Sequence, residues 1–497
     1  MIRVSSRPSA KSARLLVAGA FFVSLALPSL GSMCPALAAT ASLHLSPTIG
    51  PPTTSVTATG AGFLAGERVA LWFDSIWVAG ATAGSSGTFN KAFTVPASAR
   101  PGVHTVKAVG KSSGRSATAP FTVRTNWPQF RDGPAHNGFN RYENVVTASN
   151  AWKLHAVWTK AVGSAHSSPA VAGGTVYLST GTGLYAFWAT TGAQRWSVTV
   201  PSVLAGGVSE VASSPAVSGG RVFLGSTDGN LYAFSTSTGT RLWVAATGGA
   251  ILSSPTVVGA TVYVGSNDGY LYAVDVATGA RRWRAFTSDA PVDSSPAVSG
   301  GVVYVGAGDG HVYAFAASTG VLKWQSAYEA SSGWYGSEIV SSPAVAYGMV
   351  YVQADSQYLV ALDASTGTVM WTGSYGGEAD QSSPAVANGT VFMVSGEYVG
   401  GGFTTGEVAA VDAFTGALKW SAYSNSYNTS SPAVGGGVVY FTSEDGHLYC
   451  LSADTGNLLR KITVAPDYVG LSSSPAVSDG RVIVSGGSTY SFGVKLS

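Results

Sequence analysis

Short runs of alternating apolar and polar residues, separated by turn dipeptides, recur along this chain, and the segment from Ser253 to Trp283 is the clearest example. The run TVYVGS leads to the turn Asp268-Gly269, YLYAVD follows, and after Thr278-Gly279 a last run ends at the tryptophan. Alternation with a period of two predicts half-buried β-strands, and Asp-Gly between two such runs favours a tight hairpin. The segment is therefore predicted to form a four-stranded antiparallel sheet.

The same unit repeats, because Ser-Ser-Pro occurs eight times. Its prolines are Pro169, Pro215, Pro255, Pro296, Pro343, Pro384, Pro432 and Pro475. The closing tryptophans are Trp196, Trp243, Trp283, Trp324, Trp371 and Trp420, with Arg460 in that place in the seventh unit. A period of about 40–50 residues with four strands each is typical of β-propeller blades.

The eighth unit ends before its closing strand, since that strand would lie beyond Ser497. The segment Lys153–Trp158, before the first repeat, has the pattern of such a strand. We therefore predict that it completes the eighth blade, which would remove the open edges of a linear array. Trp158 would then occupy the position that Trp283 has in the third blade, and all seven tryptophans are predicted to dock between neighbouring blades.

The motif Ala-x-Asp-x-x-Thr-Gly-x-x-x-Trp, at Ala273–Trp283 and Ala361–Trp371, resembles the repeat of pyrroloquinoline-quinone-type propellers. That family includes quinoprotein alcohol dehydrogenases and the outer-membrane β-barrel assembly lipoprotein. The resemblance covers about Ala151 to Ser497 and implies an eight-bladed propeller. It is specific to the fold, and fold alone does not fix function.

Residues 1–38 have the features of a secretory signal peptide: a basic start, the apolar stretch Leu15–Leu30 and the cleavage site Ala36–Ala38. Lipidation at Cys34 is an alternative, although the residue before it is larger than that signal prefers. A membrane anchor is a second alternative, but the apolar stretch is short for spanning and contains Pro28. We expect a secreted or otherwise extracytoplasmic mature chain without a membrane span.

Removing the signal, which holds four basic and no acidic residues, changes the formal net charge from +2 to −2. This balance argues against binding to nucleic acid or to an anionic membrane surface. Charged residues make up only 10% of the chain, which suits a turn-rich all-β protein. Cys450 would be the only cysteine left, so no disulfide within the chain is available, and its place in a strand predicts a buried, inert thiol.

The fold class predicted from these patterns is all-β: an eight-bladed β-propeller preceded by a small immunoglobulin-like β-sandwich. Residues 39–125 contain seven short predicted strands and resemble a bacterial immunoglobulin-like module. Residues 126–150 form an aromatic-rich linker that we expect to pack against the propeller of residues 151–497. Trp127 in this linker is assigned to structural docking, with ligand binding as the alternative.

Loops of variable length lie on one predicted face of the propeller, where each blade has its strand 2–3 turn and its connection to the next blade. We call this face the variable-loop face. Binding often occurs on variable loops held by a rigid scaffold. The candidate ligand-binding residues are Glu329, Trp334, Tyr335, Glu338, Glu378, Asp380, Tyr398 and Phe403. Carboxylates beside aromatic rings suit a polar ligand, a sugar or a protein loop, while a solvated rim is the alternative for any one of them.

The function predicted from the sequence is that of a secreted, monomeric, non-enzymatic propeller that binds a protein or glycan at the cell surface or acts there as a scaffold. The alternatives are a dehydrogenase using pyrroloquinoline quinone with calcium and an envelope or outer-membrane protein assembly factor. The chain lacks adjacent cysteines and a C-x-x-C-H haem motif. The Asp-Gly pairs are interpreted as hairpin turns rather than calcium loops. No catalytic residue, cofactor or metal ligand is therefore assigned.

Overall fold

The computed structural model describes residues 40–162, 167–181, 183–201, 213–326, 328, 339–354, 358–375, 382–399, 403–426, 428, 430–465, 471, 473–486 and 488–493. For 397–399, 403–404 and 488–493 it describes the backbone only. The predicted signal peptide lies outside these residues, and everything below concerns the compact unit Ala41–Ser497. Within the described residues, no helix is long and apolar enough to cross a membrane.

Two sheets packed face to face form the N-terminal β-sandwich. Its strands are β1 (Ser42–Ser46), β2 (Ile49–Gly50), β3 (Ser55–Ala61), β4 (Arg68–Phe73), β5 (Ile76–Thr82), β6 (Phe89–Thr94), β7 (Gly102–Gly110) and β8 (Ser116–Val123). One sheet has the order β1-β3-β6 and the other β2-β8-β7-β4-β5. Val56, Leu71, Phe73 and Phe121 are buried between them. The seven predicted strands are present, and the additional β2 has only two residues, too few to show an alternating pattern.

One short strand and one helical turn lie between the sandwich and the first propeller strand. These are β9 (Phe139–Asn140) and a 3-10 turn at Ala151–Lys153, and β10 (His155–Ala161) follows. The predicted strand over Lys153–Trp158 is thus wrong at its start. The Lys153 N–H donates to the Asn150 carbonyl at 2.9 Å, which closes a helical turn in place of an extended strand.

The described propeller strands form eight sheets. Six are built from four consecutive antiparallel strands, the seventh adds β9 in parallel beside its first strand, and the eighth takes β10 as its outer strand. The first three are β11 (Ala170–Ala172), β12 (Thr175–Thr180), β13 (Gly183–Trp188), β14 (Gln194–Thr199); β15 (Ala216–Ser218), β16 (Arg221–Gly225), β17 (Asn230–Ser235), β18 (Arg241–Ala246); and β19 (Thr256–Val258), β20 (Thr261–Ser266), β21 (Tyr270–Asp275), β22 (Arg281–Phe286). The next two are β23 (Ala297–Ser299), β24 (Val302–Gly306), β25 (Val312–Ala316), β26 (Leu322–Gln325); and β27 (Ala344–Ala346), β28 (Met349–Ala354), β29 (Tyr358–Asp363), β30 (Val369–Ser374). The last three are β31 (Ala385–Ala387), β32 (Thr390–Val399), β33 (Phe403–Asp412), β34 (Leu418–Ser424); β35 (Ala433–Gly435), β36 (Val438–Ser443), β37 (His447–Ser452), β38 (Leu458–Thr463); and β39 (Ala476–Ser478), β40 (Arg481–Gly486), β41 (Ser488–Gly493), with β10.

The ring closes as the sequence predicts. β10 pairs antiparallel with β41, and Trp158 stands opposite Ser491, so the eighth sheet has the order β10-β41-β40-β39. The short first strand of every sheet contacts that of the next, and β39 of the eighth contacts β11 of the first. The two ends of the propeller segment therefore meet in one sheet, which leaves no sheet edge open at the join.

Each of the seven tryptophans docks on the following blade. Their indole N–H groups donate to the carbonyl oxygens of Ala189, Thr236, Val276, Ala317, Ala364, Ala413 and Ala453 at 2.9–3.1 Å. The rings cover the glycine of the next Thr-Gly turn. At Gly279, for example, φ is +75° and an added Cβ would lie 2.8 Å from the Trp243 ring, so both the conformation and the contact require glycine.

Arg460 replaces the tryptophan of the seventh blade for a reason visible in this arrangement. In the eighth sheet β41 ends at Gly493 and its outer partner β10 begins at His155, so these two strands are not joined by a Thr-Gly turn. A tryptophan at position 460 would have no such turn to cover.

Candidate functional site

Hydrogen bonds between the second serines of the eight Ser-Ser-Pro motifs form a closed ring. In each blade this serine's backbone N–H donates to the Oγ of the equivalent serine in the next blade, at 2.9–3.0 Å. We call the eight residues the serine ring. They are Ser168, Ser214, Ser254, Ser295, Ser342, Ser383, Ser431 and Ser474, all buried. The last bond, from Ser474 to Ser168, closes the ring.

The first serine of the motif bonds within its own blade in the third unit, whereas in the fourth unit the Ser294 hydroxyl donates to the Ser341 carbonyl of the next blade at 3.1 Å. The Ser253 hydroxyl donates to the Gly265 carbonyl at 2.8 Å and accepts the Gly265 N–H at 2.8 Å, which fixes the inner strand to its neighbour. In the sixth blade the equivalent Ser382 Oγ is buried and has no partner among the described residues. From the sequence this motif could be recognised only as a repeat, because the chain order does not show that serines about 40 residues apart are hydrogen-bonded to each other.

Ser254→Ala is expected to destabilise the propeller by about 1–3 kcal/mol, because it leaves the buried Ser214 N–H without its acceptor. Chemical unfolding of the mature protein measures the change. Ser237→Ala is the matched control, since Ser237 lies in an exposed turn. Equal unfolding free energies for the two variants would contradict a structural role for the serine ring.

The linker residues 127–140, which we call the plug, bond to the inner strand of every blade. In each inner strand the bond is made by the residue two positions after the motif's proline. Seven of these residues donate their backbone N–H at 2.6–3.0 Å: Val171 to Trp127 O, Val217 to Pro128 O, Val257 to Gln129 Oε1, Val298 to Pro134 O, Val345 to Ala135 O, Val386 to Asn137 O and Val434 to Gly138 O. The eighth, Val477, accepts from the Asn140 side chain at 2.8 Å. A single segment thus holds all eight blades.

Two buried basic side chains hold the plug in shape. The Arg131 Nε donates to the His136 carbonyl at 3.1 Å, and a terminal guanidinium nitrogen donates to the Pro384 carbonyl. Burial lowers the pKa of Arg131 to about 9. Burial, reinforced by the Arg131 charge, lowers the pKa of His136 to about 3. The imidazole is therefore neutral near pH 7, where its Nε2 lies 2.8 Å from the Thr256 hydroxyl.

The plug and the sandwich both contact the face opposite the variable-loop face. The residues bonded by the plug lead directly into the strand 1–2 turns. At one of these turns, Asp479 Oδ1 accepts the Thr125 N–H at 2.7 Å, and Asp479 Oδ2 lies 3.6 Å from Arg124. From the linker, the Asn144 amide donates to the Ala99 carbonyl of the sandwich at 2.9 Å.

Two of the eight candidate binding residues lie within the described part of the chain. Glu329, Trp334, Tyr335, Glu338, Glu378 and Asp380 lie outside them. Tyr398 and Phe403 lie in β32 and β33, opposite Thr404 and Val399, and their side chains are not described. Pairing of β32 with β33 continues from Ser395↔Glu407 to Val399↔Phe403, so both residues lie in a long hairpin between the second and third strands of the sixth blade.

Aromatic residues other than the eight candidates lie at the variable-loop end of the described strands. Tyr270, which follows an Asp-Gly turn, packs against Phe286 with ring centroids 5.2 Å apart, and the Arg284 guanidinium lies 4.5 Å from the Tyr270 centroid. Phe286 is 50% exposed, and Tyr423, at the end of β34, is 67% exposed. The sequence could have indicated these residues, because each lies near the end of a predicted strand, beside a connection of variable length.

Each Asp-Gly carboxylate accepts hydrogen bonds from its own hairpin, and Asp268 Oδ2 also accepts the Gly248 N–H at 2.8 Å. Asp268 Oδ1 accepts the Tyr270 N–H at 3.2 Å, and its Oδ2 accepts the Tyr272 hydroxyl at 2.5 Å. Equivalent bonds hold Asp228, Asp309 and Asp445. Burial, and then the bond to Asp268, raises the pKa of Tyr272. Across the described part of the chain, no three His, Cys, Asp or Glu side chains form a group that could hold a metal ion.

The single described cysteine is inaccessible. Cys450 is free and fully buried, and burial raises the pKa of its thiol. A buried, protonated thiol is a poor nucleophile.

In the described part of the chain, eight sheets of four strands, one of them extended by β9, form a closed ring, which defines a β-propeller. Comparison with known proteins identifies its family. The chain belongs to the family described as "Outer membrane protein assembly factor BamB", whose profile matches residues 142–295, 246–399 and 404–494. Residues 39–123 match the macroglobulin-like domain, which specifies the type of immunoglobulin-like sandwich. No curated protein matches the chain.

Solved structures resemble the chain at the level of the fold. Quinohemoprotein alcohol dehydrogenase from Comamonas testosteroni has a TM-score of 0.62 at 17% identity, covering 75% of this chain and 81% of that one. BamB from Moraxella catarrhalis has a TM-score of 0.56 at 19% identity, covering 68% and 99%. A europium-containing methanol dehydrogenase has a TM-score of 0.61 at 15% identity, covering 74% and 98%. Both family branches named by the sequence resemblance are thus represented.

Proposed function

We propose that this protein is an extracytoplasmic, non-enzymatic β-propeller that binds a protein or glycan partner through its variable-loop face. The observation that carries the proposal is the position of the plug and the sandwich, which both contact the opposite face. The variable-loop face also holds the loops that differ in length and the exposed rings of Phe286 and Tyr423. Variable loops and exposed aromatic rings are common in recognition surfaces.

The name of the BamB family supports a protein partner in the cell envelope, and assembly of envelope proteins is the second candidate function. The dehydrogenases support a quinone-dependent activity only through the fold, at 15–17% identity. The two cysteines of the chain are not adjacent, and the carboxylates of the Asp-Gly turns accept hydrogen bonds from their own hairpins. Our proposal therefore assigns no residue to a quinone or a metal.

The test places a photo-crosslinking amino acid at either of two exposed aromatic positions in the same blade. Tyr423 ends an outer strand on the variable-loop face, whereas Phe414, 53% exposed, lies in the strand 3–4 turn on the opposite face. With cell-envelope extract and a glycan array as partner sources, we expect specific adducts from position 423 and few from position 414. Adducts from 414 alone, or equally from both, would overturn the assignment of the binding face.

Titration with pyrroloquinoline quinone and Ca²⁺ separates this proposal from the dehydrogenase alternative. Quinone absorbance reports binding, and a dye-linked assay reports turnover with alcohols and sugars. We expect neither signal. Stoichiometric quinone binding with turnover would instead place the protein among the dehydrogenases, and cross-linking to an outer-membrane β-barrel protein would favour envelope assembly.

A further inference from the structure

The sandwich carries a charge opposite to that of the rest of the mature chain. Residues 39–125 contain seven Lys and Arg residues but only two acidic residues, Glu67 and Asp74. Both acids are already engaged: Glu67 accepts backbone N–H groups, including Ser113 N–H at 3.0 Å, and Asp74 lies 2.6 Å from His104 Nδ1. The mature chain as a whole has a net charge of −2, so the sandwich is a basic unit attached to an acidic propeller. Such an asymmetry points to an anionic ligand for the sandwich.

Part of this charge lines a groove at the edge of the sandwich. β5 and β6 are edge strands of different sheets and face each other without pairing. Two adjoining concavities between them, of ≈ 630 and ≈ 710 Å³, share Trp77, Gly80 and Lys91. Arg68 and Lys111 line the first as well. No acidic residue lines either concavity among the described residues, and within the described chain none of these three cations forms an ion pair.

Trp77 supplies a flat apolar surface in the middle of this groove. Its side chain is 58% exposed, and an added Cβ at Gly80 would lie 3.9 Å from the indole ring, so the ring extends along β5 over a residue that has no side chain. An exposed tryptophan in a groove can stack on the apolar face of a sugar ring, as aromatic rings do on other flat ligands.

A polypeptide strand fits this groove poorly. A register shift at Leu71/Trp72 interrupts the pairing of β4 with β5, and bulged strands resist the addition of a further strand. The charge of the groove also disfavours a second copy of this chain's sandwich, which is itself basic. A polymer with anionic groups and flat apolar faces can form ion pairs with the cations and stack on the tryptophan ring.

We propose that the groove between β5 and β6 binds an acidic polysaccharide, with Trp77 stacking on a sugar ring and Arg68, Lys91 and Lys111 pairing with its anionic groups. This site is separate from the variable-loop face. Cross-linking from position 423 therefore reports on the proposed function, whereas polysaccharide binding reports on the groove.

The test is affinity electrophoresis of the mature protein in gels that contain polygalacturonate, with neutral dextran as the uncharged comparison. We expect polygalacturonate, but not dextran, to retard the protein. Trp77→Ala and the double variant Lys91→Gln/Lys111→Gln are each expected to weaken binding about tenfold. The controls are Trp152→Ala, which removes another exposed tryptophan (59%), and Lys107→Gln, which removes an exposed sandwich cation outside the groove; each should change binding less than about twofold.

Several results would overturn the proposal. Unchanged retardation of the Trp77→Ala protein would show that the groove is not used, and an equal loss with Lys107→Gln would show diffuse attraction by the net charge. Tighter binding of single-stranded oligothymidine than of polygalacturonate would assign the groove to nucleic acid. Sedimentation of the wild type as a dimer that Trp77→Ala dissociates would assign it to self-association. Unchanged melting temperatures of the variants exclude misfolding as the cause of a loss.

Discussion

Replacing β10, residues His155–Ala161, with a Gly-Ser segment of equal length is expected to lower the melting temperature of the mature protein by at least about 5 °C. The variant leaves β41 as an open edge and removes the Trp158 indole from the first blade, where it donates to Ala189 O at 2.9 Å. Removal of a buried tryptophan alone costs about 3–5 kcal/mol, and loss of the join between the two ends adds to that cost. Differential scanning fluorimetry and protease resistance measure the effect.

The control for this prediction is the same replacement in β18, Arg241–Ala246, the outer strand of the second blade. That variant also loses an outer strand and its docked Trp243, but the ends of the propeller stay joined. We expect a smaller loss of stability from it. Equal losses in the two variants would show that the closing strand contributes no more than any other outer strand.

Trp127→Ala is expected to lower the free energy of unfolding by about 3–5 kcal/mol. Trp127 is 2% exposed, and its backbone N–H and C=O bond to Val171 at 2.8 and 2.7 Å. Its side chain belongs to the core shared by the linker and the first, seventh and eighth blades. The cavity left by alanine therefore lies where the plug begins and where the ring closes. Urea unfolding, followed by tryptophan fluorescence and circular dichroism, measures the loss.

Trp152→Ala provides the comparison, since this tryptophan of the 3-10 turn is 59% exposed and should change stability by less than about 0.5 kcal/mol. A stable Trp127→Ala protein that had lost partner binding would reverse the assignment and make Trp127 a binding residue. Reduced stability with unchanged cross-linking from position 423 agrees with structural docking.

Local repetition in the sequence was sufficient to predict the blades. Period-two alternation, Asp-Gly hairpins and Thr-Gly turns specify strands and turns over a few residues, so the four-strand unit could be recognised without coordinates. Counting from Pro475 showed that the last closing strand was missing, and Trp158 supplied a candidate for it. That inference succeeded because, in a motif repeated at constant spacing, the position of a missing element can be counted from the others. Its error at Lys153 arose from a backbone hydrogen bond that the residue pattern does not show.

The serine ring and the plug depended on the tertiary structure. Ser168 and Ser474 bond across 306 positions, and Val434 meets Gly138 across nearly 300, so no local pattern connects them. The sequence showed Ser-Ser-Pro only as a repeated motif, whereas in the structure its second serine bonds to the next blade in all eight units. The basic groove likewise required two edge strands from different sheets to lie side by side.

The sequence by itself therefore determined the blade, the number of blades and the strand that closes the ring, because these follow from contacts near in the chain or from a motif repeated at constant spacing. Only the tertiary structure decided which end of the inner strands the linker covers, which hydroxyls meet in a ring and which cations of the sandwich share a groove. Those features depend on closure of the ring and on packing of segments that are far apart in the chain. A local residue pattern does not show which distant segments come into contact.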